Sequence, residues 1–204
     1  MRQETGSNNS AAIQKVSIRL ASGGHSFSVD MLPKRAFDSD AETVFEIITH
    51  KCTLVPAEVF EPAAAAAYLA ADGRACSADE RAVFRIEGDK AVVMAAADSC
   101  VAQIYDKFGG RAVLTSPLLR EYEAKGRELH ICTLGGVSFF KLYDGQKLQY
   151  AEAAATADSD EVLYYTTLLD REFALGEYLI YISGDEARKT AKLLKRYYRK
   201  VLCE

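Results

Sequence analysis

Two Gly-Gly pairs carry this chain's best case for chemistry. Gly23-Gly24 follows the run 16–22, and Gly135-Gly136 follows the run 129–134. Each run alternates on its way into the pair, and Ser-Phe opens what comes after: Ser26-Phe27 in one case, Ser138-Phe139 in the other. Glycine reaches positive φ without steric cost, so such a pair closes a tight hairpin. The same turn presents successive backbone N–H groups, and a nest of N–H groups binds anions such as phosphate. Gly184, at the end of a late apolar run, is a third point of the same kind. Gly23, Gly24, Gly135, Gly136 and Gly184 are therefore the candidate cofactor-binding positions, as a degraded nucleotide cradle. Tight-turn geometry alone also explains a Gly-Gly pair, and no G-x-x-x-x-G-K-[ST] loop occurs, so the turn reading outweighs the cradle.

Other chemistry has less support. A two-metal nuclease needs clustered carboxylates on strands, and the first strands offer only Asp30 and Glu46. His130 and Cys132 are two apart and share a strand face, where core packing is the plainer role. Cys52, Cys76, Cys100, Cys132 and Cys203 show no C-x-x-C spacing, and His25, His50 and His130 are dispersed, so no metal site is expected. No G-x-S-x-G elbow is present. No catalytic residue is assigned.

The elements that must position the glycines follow from periodicity. Residues 15–20 and 25–31 read as a hairpin, and 44–50 as a third strand. The Ala-rich run 57–70 reads as a helix that becomes regular at Pro62. Residues 82–96 form a hairpin about Gly88-Asp89, followed by a helix to Phe108 and a strand over 111–116. Ser116 and Pro117 then open a helix that ends at Gly126. In the second half, 127–135, 137–143 and 147–155 read as a meander, with Asp144-Gly145 as a turn. Asp158 begins a helix whose buried stripe is Leu163, Tyr164, Thr167, Leu168 and Phe173. Residues 177–183 read as a buried parallel strand. Asp185 caps a final basic helix over 186–202, with Ala187, Ala191, Leu194 and Tyr198 on its apolar stripe.

Both halves thus approach one pattern, β-β-β-α-β-α, with a right-handed crossover. This is the topology of ribonuclease-H-like units, used twice in the actin, sugar kinase and Hsp70 superfamily. The reading is an α/β chain of two such lobes with mixed sheets and flanking helices: a disordered leader over 1–13, a first lobe over 14–126 and a second over 127–204. A net charge of −4 argues against a nucleic-acid partner. No apolar run is long enough to span a bilayer, and the N-terminus lacks a signal-peptide core, which points to the cytoplasm.

Three stretches carry a resemblance: LVPAEVF (54–60), ICTLGGVSFFKLYDGQKLQY (131–150) and DEVLYYTTLLDREFALGEYLIYISG (160–184). They resemble the DUF3822 family of uncharacterised Bacteroidetes proteins, which is similar in fold to actin-like ATPases, including the pilus protein PilM and the division protein FtsA. That likeness implies a site logic. One turn per lobe meets the nucleotide phosphates, an Asp two residues before Gly holds Mg²⁺ through water, and a late Gly-Gly makes room for adenosine. This chain keeps glycines but not acids. Ala21 or Ser22 stands at the first position, Thr133 at the second, and Ser183-Gly184-Asp185 replaces the late Gly-Gly. The resemblance therefore implies a non-catalytic, pseudo-ATPase scaffold for an unidentified protein partner, without a cofactor. The alternative is an ATPase or kinase that binds ATP and Mg²⁺ through Asp30 or Asp185. The partner surface expected first is the edge of the first hairpin and the cleft, ahead of the aromatic helix and the basic last helix.

Overall fold

The computed structural model describes residues 16–21, 24, 28, 32 and 42–204. The expected leader, and all but Ser28 of the expected returning strand 25–31, lie outside the described residues.

Three sheets make up the described chain. The first consists of β1 (Val16–Ala21), β2 (Thr43–Ile48) and β6 (Ala112–Thr115), in the order β1-β2-β6, all parallel. This corrects one expectation: the strand read over 44–50 is not the third arm of an antiparallel meander. It hydrogen-bonds directly to β1, in parallel, and to β6 on its other side. Its residues Phe45, Ile47 and Ile48 are buried, as a near-continuous apolar run in a parallel strand should be.

The second sheet holds β7 (Arg127–Leu134), β8 (Val137–Asp144), β9 (Lys147–Ala155), β10 (Leu179–Gly184) and β11 (Val201–Cys203) in the order β11-β10-β7-β8-β9. β7, β8 and β9 form the expected antiparallel meander, and β10 lies parallel to β7. The order β7-β10-β11 repeats β1-β2-β6, so both sheets share the parallel part of one ribonuclease-H-like topology. Two helices, α3 (Ser159–Phe173) and α4 (Ala187–Leu194), cover one face, burying Leu129, Ile131, Phe140, Ile180 and Leu194 together. The other face, with Cys132, Leu134, Val137, Phe139 and Ala153, shares a core with Leu20, Phe45 and Ile47 of the first sheet. α2 (Asp98–Phe108) adds Cys100, Val101, Ile104 and Phe108 to that core.

The third sheet, β3 (Cys52–Pro56), β4 (Glu80–Glu87) and β5 (Lys90–Ala97), is antiparallel in the order β3-β5-β4. It sits in the chain between β2 and α2. The short helix α1 (Ala65–Ala71) packs Leu69 against Val55 and Val93. α1 begins three residues after Pro62, because Pro62–Ala64 forms a 3₁₀ turn first.

Four local expectations need correction. Ser116 accepts a hydrogen bond from Leu118 N–H at 3.2 Å, but only a 3₁₀ turn, Pro117–Leu119, follows, and no helix reaches Gly126. The stripe of α3 is rotated: Val162, Thr166 and Leu169 are buried, whereas Tyr164 is 60% exposed. The last helix stops at Leu194, and the chain returns as β11 beside β10. Its expected stripe does hold, since Ala187, Ala191, Leu194 and Tyr198 are all buried. Finally, Asp185 does not cap α4; the preceding residue is Glu186, at φ +52° and without a side-chain cap bond.

Candidate functional site

The second glycine turn is built as its sequence requires. Gly135 and Gly136 have φ of +54° and +78°, the two positive values of a tight hairpin between β7 and β8. A Cβ on Gly135 would stand 3.2 Å from the Cβ of Ala21 and 3.7 Å from Cγ2 of Ile48. The turn therefore sits against the C-terminal ends of β1 and β2. Ala21 directly precedes the Ser22-Gly23-Gly24 stretch that the sequence reads as the first turn. There Gly24 is buried at φ +89°, while Ser22 and Gly23 lie outside the described residues.

Gly184 closes the second side of the site. β10 pairs with β7 so that Gly184 lies opposite Thr133. Its φ is +88°, and a Cβ there would stand 2.1 Å from the Thr133 carbonyl oxygen. The next N–H, that of Asp185, donates to the same oxygen at 2.7 Å. Strand-to-strand approach thus accounts for this glycine. The Asp185 side chain then turns back over the hairpin, and its Oδ2 accepts the Gly135 N–H at 2.7 Å. A carboxylate of the chain itself occupies a backbone donor of the kind that receives phosphate oxygens. Gly135, Gly136 and Gly184 are brought together; Gly23 lies outside the described residues.

Thr133 carries no charge, and its hydroxyl is engaged. Thr133 Oγ1 lies 2.9 Å from Ser138 Oγ, which lies 2.7 Å from Thr156 Oγ1. This relay of hydroxyls spans β7, β8 and the end of β9.

Glu46, a sequence candidate for metal binding, is held between two guanidiniums. Arg19 Nε donates to Oε2 at 3.0 Å, and Arg120 Nη2 donates to Oε1 at 2.8 Å. Asp30 lies outside the described residues. Among the described residues no group of His, Cys, Asp and Glu is placed to hold a metal ion.

His130 and Cys132 have separate partners. His130 stacks between Tyr122, with ring centroids 4.0 Å apart, and Tyr181, at 4.7 Å. Its Nε2 lies 3.0 Å from Glu128 Oε2. Burial lowers the imidazole pKa, against the opposing pull of Glu128. Cys132 Sγ instead accepts from Arg120 Nη1 at 3.6 Å. Burial pushes the Cys52 thiol up to about 12 and the Cys100 thiol to about 11, so neither is a nucleophile near neutral pH.

Sequence reasoning missed two features. Lys141 is almost fully buried; its Nζ donates to the Arg120 carbonyl and lies 5.9 Å from the ring centroids of both Tyr122 and Tyr143. Burial lowers its pKa to about 8. Alternation on β8 could have flagged it, since Phe139, Lys141 and Tyr143 share one face. The second feature is the Asp185 contact, which has no local sequence signal.

No family model matches the chain, and no curated protein matches it. Among solved structures it is similar to a protein of Bacteroides thetaiotaomicron described as having an actin-like ATPase fold and unknown function. The identity is 13%, over 93% of this chain and 90% of that one, with a TM-score of 0.74. It is more distantly similar to the PilM-PilN type IV pilus biogenesis complex, at 15% identity over 81% of this chain and 70% of that one, TM-score 0.45. The cytoplasmic domain of EpsL, an inner membrane component of the Vibrio cholerae type II secretion system, matches at 12% identity, over 83% and 80%, TM-score 0.42. The chain has the actin-like ATPase fold.

Proposed function

We propose that this chain is a non-catalytic, actin-like protein that acts as a protein-binding scaffold, with lobes over 14–126 and 127–204. One observation carries the reading: the Asp185 carboxylate sits on the Gly135 N–H of the second turn. A phosphate brought to that donor would have to displace the carboxylate and would meet its negative charge. The residues around it do not fit a magnesium-bound triphosphate. Ala21 has no ligand atom to offer a hydrated cation, and Thr133 spends its hydroxyl on Ser138. With no acid at Ala21 or Thr133, and with Asp185 turned onto the Gly135 N–H, a metal and the transferring phosphoryl group would lose the electrostatic positioning that phosphoryl transfer depends on. Gly135 and Gly136 keep a turn-making role that needs no nucleotide.

A two-lobed fold without chemistry is most economically explained by binding. The resemblance to the DUF3822 family supports the same reading and rests on the three stretches quoted above. A place in the cytoplasm belongs to this proposal. Among the described residues, no helix is long and apolar enough to cross a membrane.

The test is phosphate release from ATP and Mg²⁺ by the purified protein. Release at the rate of a matched blank is the expected result. Release above it that is abolished by Asp185→Ala would assign the carboxylate to a working metal site and overturn the reading.

A further inference from the structure

Residues 187–204 concentrate positive charge in an acidic chain. Seven of the 25 Lys and Arg fall there, against one of the 29 Asp and Glu, while the whole chain carries −4. The fold sorts these residues by side. Ala187, Ala191, Leu194 and Tyr198 are buried against the second sheet, at the i, i+4, i+7, i+11 spacing of one helix face. The winding continues past the end of α4. Lys195 N–H donates to the Ala191 carbonyl at 3.0 Å, and Tyr198 N–H to the Leu194 carbonyl at 2.9 Å. Arg188, Lys192, Lys195 and Arg199 repeat the same spacing one residue later, and all four are exposed. They form a row beside the buried one, about 16 Å long at about 1.5 Å per residue.

The row keeps its charge. Among the described residues none of its four cations forms an ion pair. The acids nearby are engaged elsewhere. Glu186 accepts from Lys189 at 3.0 Å, and Asp158 and Asp160 act on that same lysine. Glu161 Oε2 accepts the Ala157 N–H at 2.6 Å, and Asp170 Oδ1 accepts the Leu175 N–H at 2.7 Å. A row of this length is too long for one small anion to cover. The outward side of a helix offers no strand edge to pair with a peptide backbone. An overall charge of −4 opposes the broad basic footprint that a nucleic acid needs. A bilayer rich in anionic lipids needs neither groove nor edge, because its headgroups are mobile and gather under fixed cations. Its potential falls off within a Debye length, about 8 Å at physiological salt, so acids on the far side of the chain add little repulsion.

We propose that this row docks the chain peripherally and reversibly on a bilayer that contains anionic lipids, with α4 lying along the membrane plane. The proposal rests on no part of the scaffold reading.

The test is co-sedimentation of the full chain with vesicles of phosphatidylcholine, alone or with about 30% phosphatidylglycerol, at about 50 mM and about 500 mM salt. Binding is expected only to the anionic vesicles, and only at the lower salt. Lys195→Glu combined with Arg199→Glu should weaken the partition coefficient by roughly thirtyfold or more, since each cation is worth about fivefold at an anionic surface. Lys125→Glu combined with Lys147→Glu makes the same change in net charge at exposed positions outside the row, and should weaken it by less than about threefold. The lipid and salt comparisons use the wild-type chain and decide the matter if a variant does not fold. No pelleting with anionic vesicles, equal pelleting with neutral ones, or equal losses in the two double variants would each overturn the proposal. So would tighter binding to poly-glutamate or duplex DNA than to anionic vesicles at equal negative charge, which would give the row to an acidic protein segment or a nucleic acid.

Discussion

Gly184→Ala separates a structural glycine from one kept to make room for a nucleotide. The added Cβ would stand 2.1 Å from the Thr133 carbonyl oxygen, 3.0 Å from its carbon and 3.1 Å from its nitrogen. All three are backbone atoms of β7, the central strand of its sheet, so nothing flexible can move aside. The residue also keeps φ at +88°. A left-handed conformation costs an L residue roughly 1–2 kcal/mol. Forcing extra volume into a packed site costs about 1–3 kcal/mol more. The sum is about 2–5 kcal/mol, or roughly 4–20 °C in Tm at about 2–4 °C per kcal/mol for a chain of this size. Urea denaturation followed by circular dichroism gives the value directly. Gly136→Ala is the control, because its Cβ meets nothing nearer than the Thr156 carbonyl oxygen at 3.9 Å; it should lose only the conformational part. If Gly184→Ala matches wild type within about 0.5 kcal/mol, the usual range of innocuous surface changes, the steric argument is wrong.

Three further outcomes are expected. Lys141 has a folded-state pKa near 8 against an ordinary value of 10.5, so the unfolded chain binds more protons between these values and stability should rise with pH across that window; Lys141→Met should flatten the rise, and an unchanged slope in urea titrations would count against the burial argument. Cys203 is exposed, whereas Cys52 and Cys100 are buried thiols with raised pKa values, so Ellman's reagent should modify Cys203 in the native protein and reach Cys52 and Cys100 only after unfolding. Phe139 is 2% exposed in a core shared by the first and second sheets, so Phe139→Ala should cost about 3–5 kcal/mol and move one cooperative transition, not split it into two.

What the sequence revealed depended on the range of the interactions involved. The β7–β8–β9 meander was legible because its cues are local: alternation, two positive-φ glycines and Asp144-Gly145. The α4 stripe was legible for the same reason, since helical spacing alone brings Ala187, Ala191 and Leu194 onto one face. Segment 117–126 was misread because tertiary contacts override its helical propensity. Tyr122 is held flat on His130, and the Arg120 carbonyl takes the Lys141 ammonium, which together keep the chain extended over β7 and β8. β11 was missed because Val201–Cys203 is too short to show a period, and its identity comes from pairing with Ile180–Ile182. The parallel placement of β2 was equally invisible, since an apolar strand reads alike in either direction. At the site, the glycines announced themselves and the missing acids were plain. The Asp185 contact was not, because it links positions 50 residues apart.

The central claim is that the chain's own carboxylate, and not a nucleotide, serves the second glycine turn. Thermal unfolding with ATP and Mg²⁺, in wild type and in Asp185→Ala, tests it most directly. A site filled at a hundredfold excess of ligand over Kd would stabilise the fold by about 2.7 kcal/mol. At about 2–4 °C per kcal/mol, this is a shift of roughly 5–11 °C. The account predicts no saturable shift in the wild-type protein at millimolar nucleotide. A saturable rise in wild type that Asp185→Ala abolishes would contradict it.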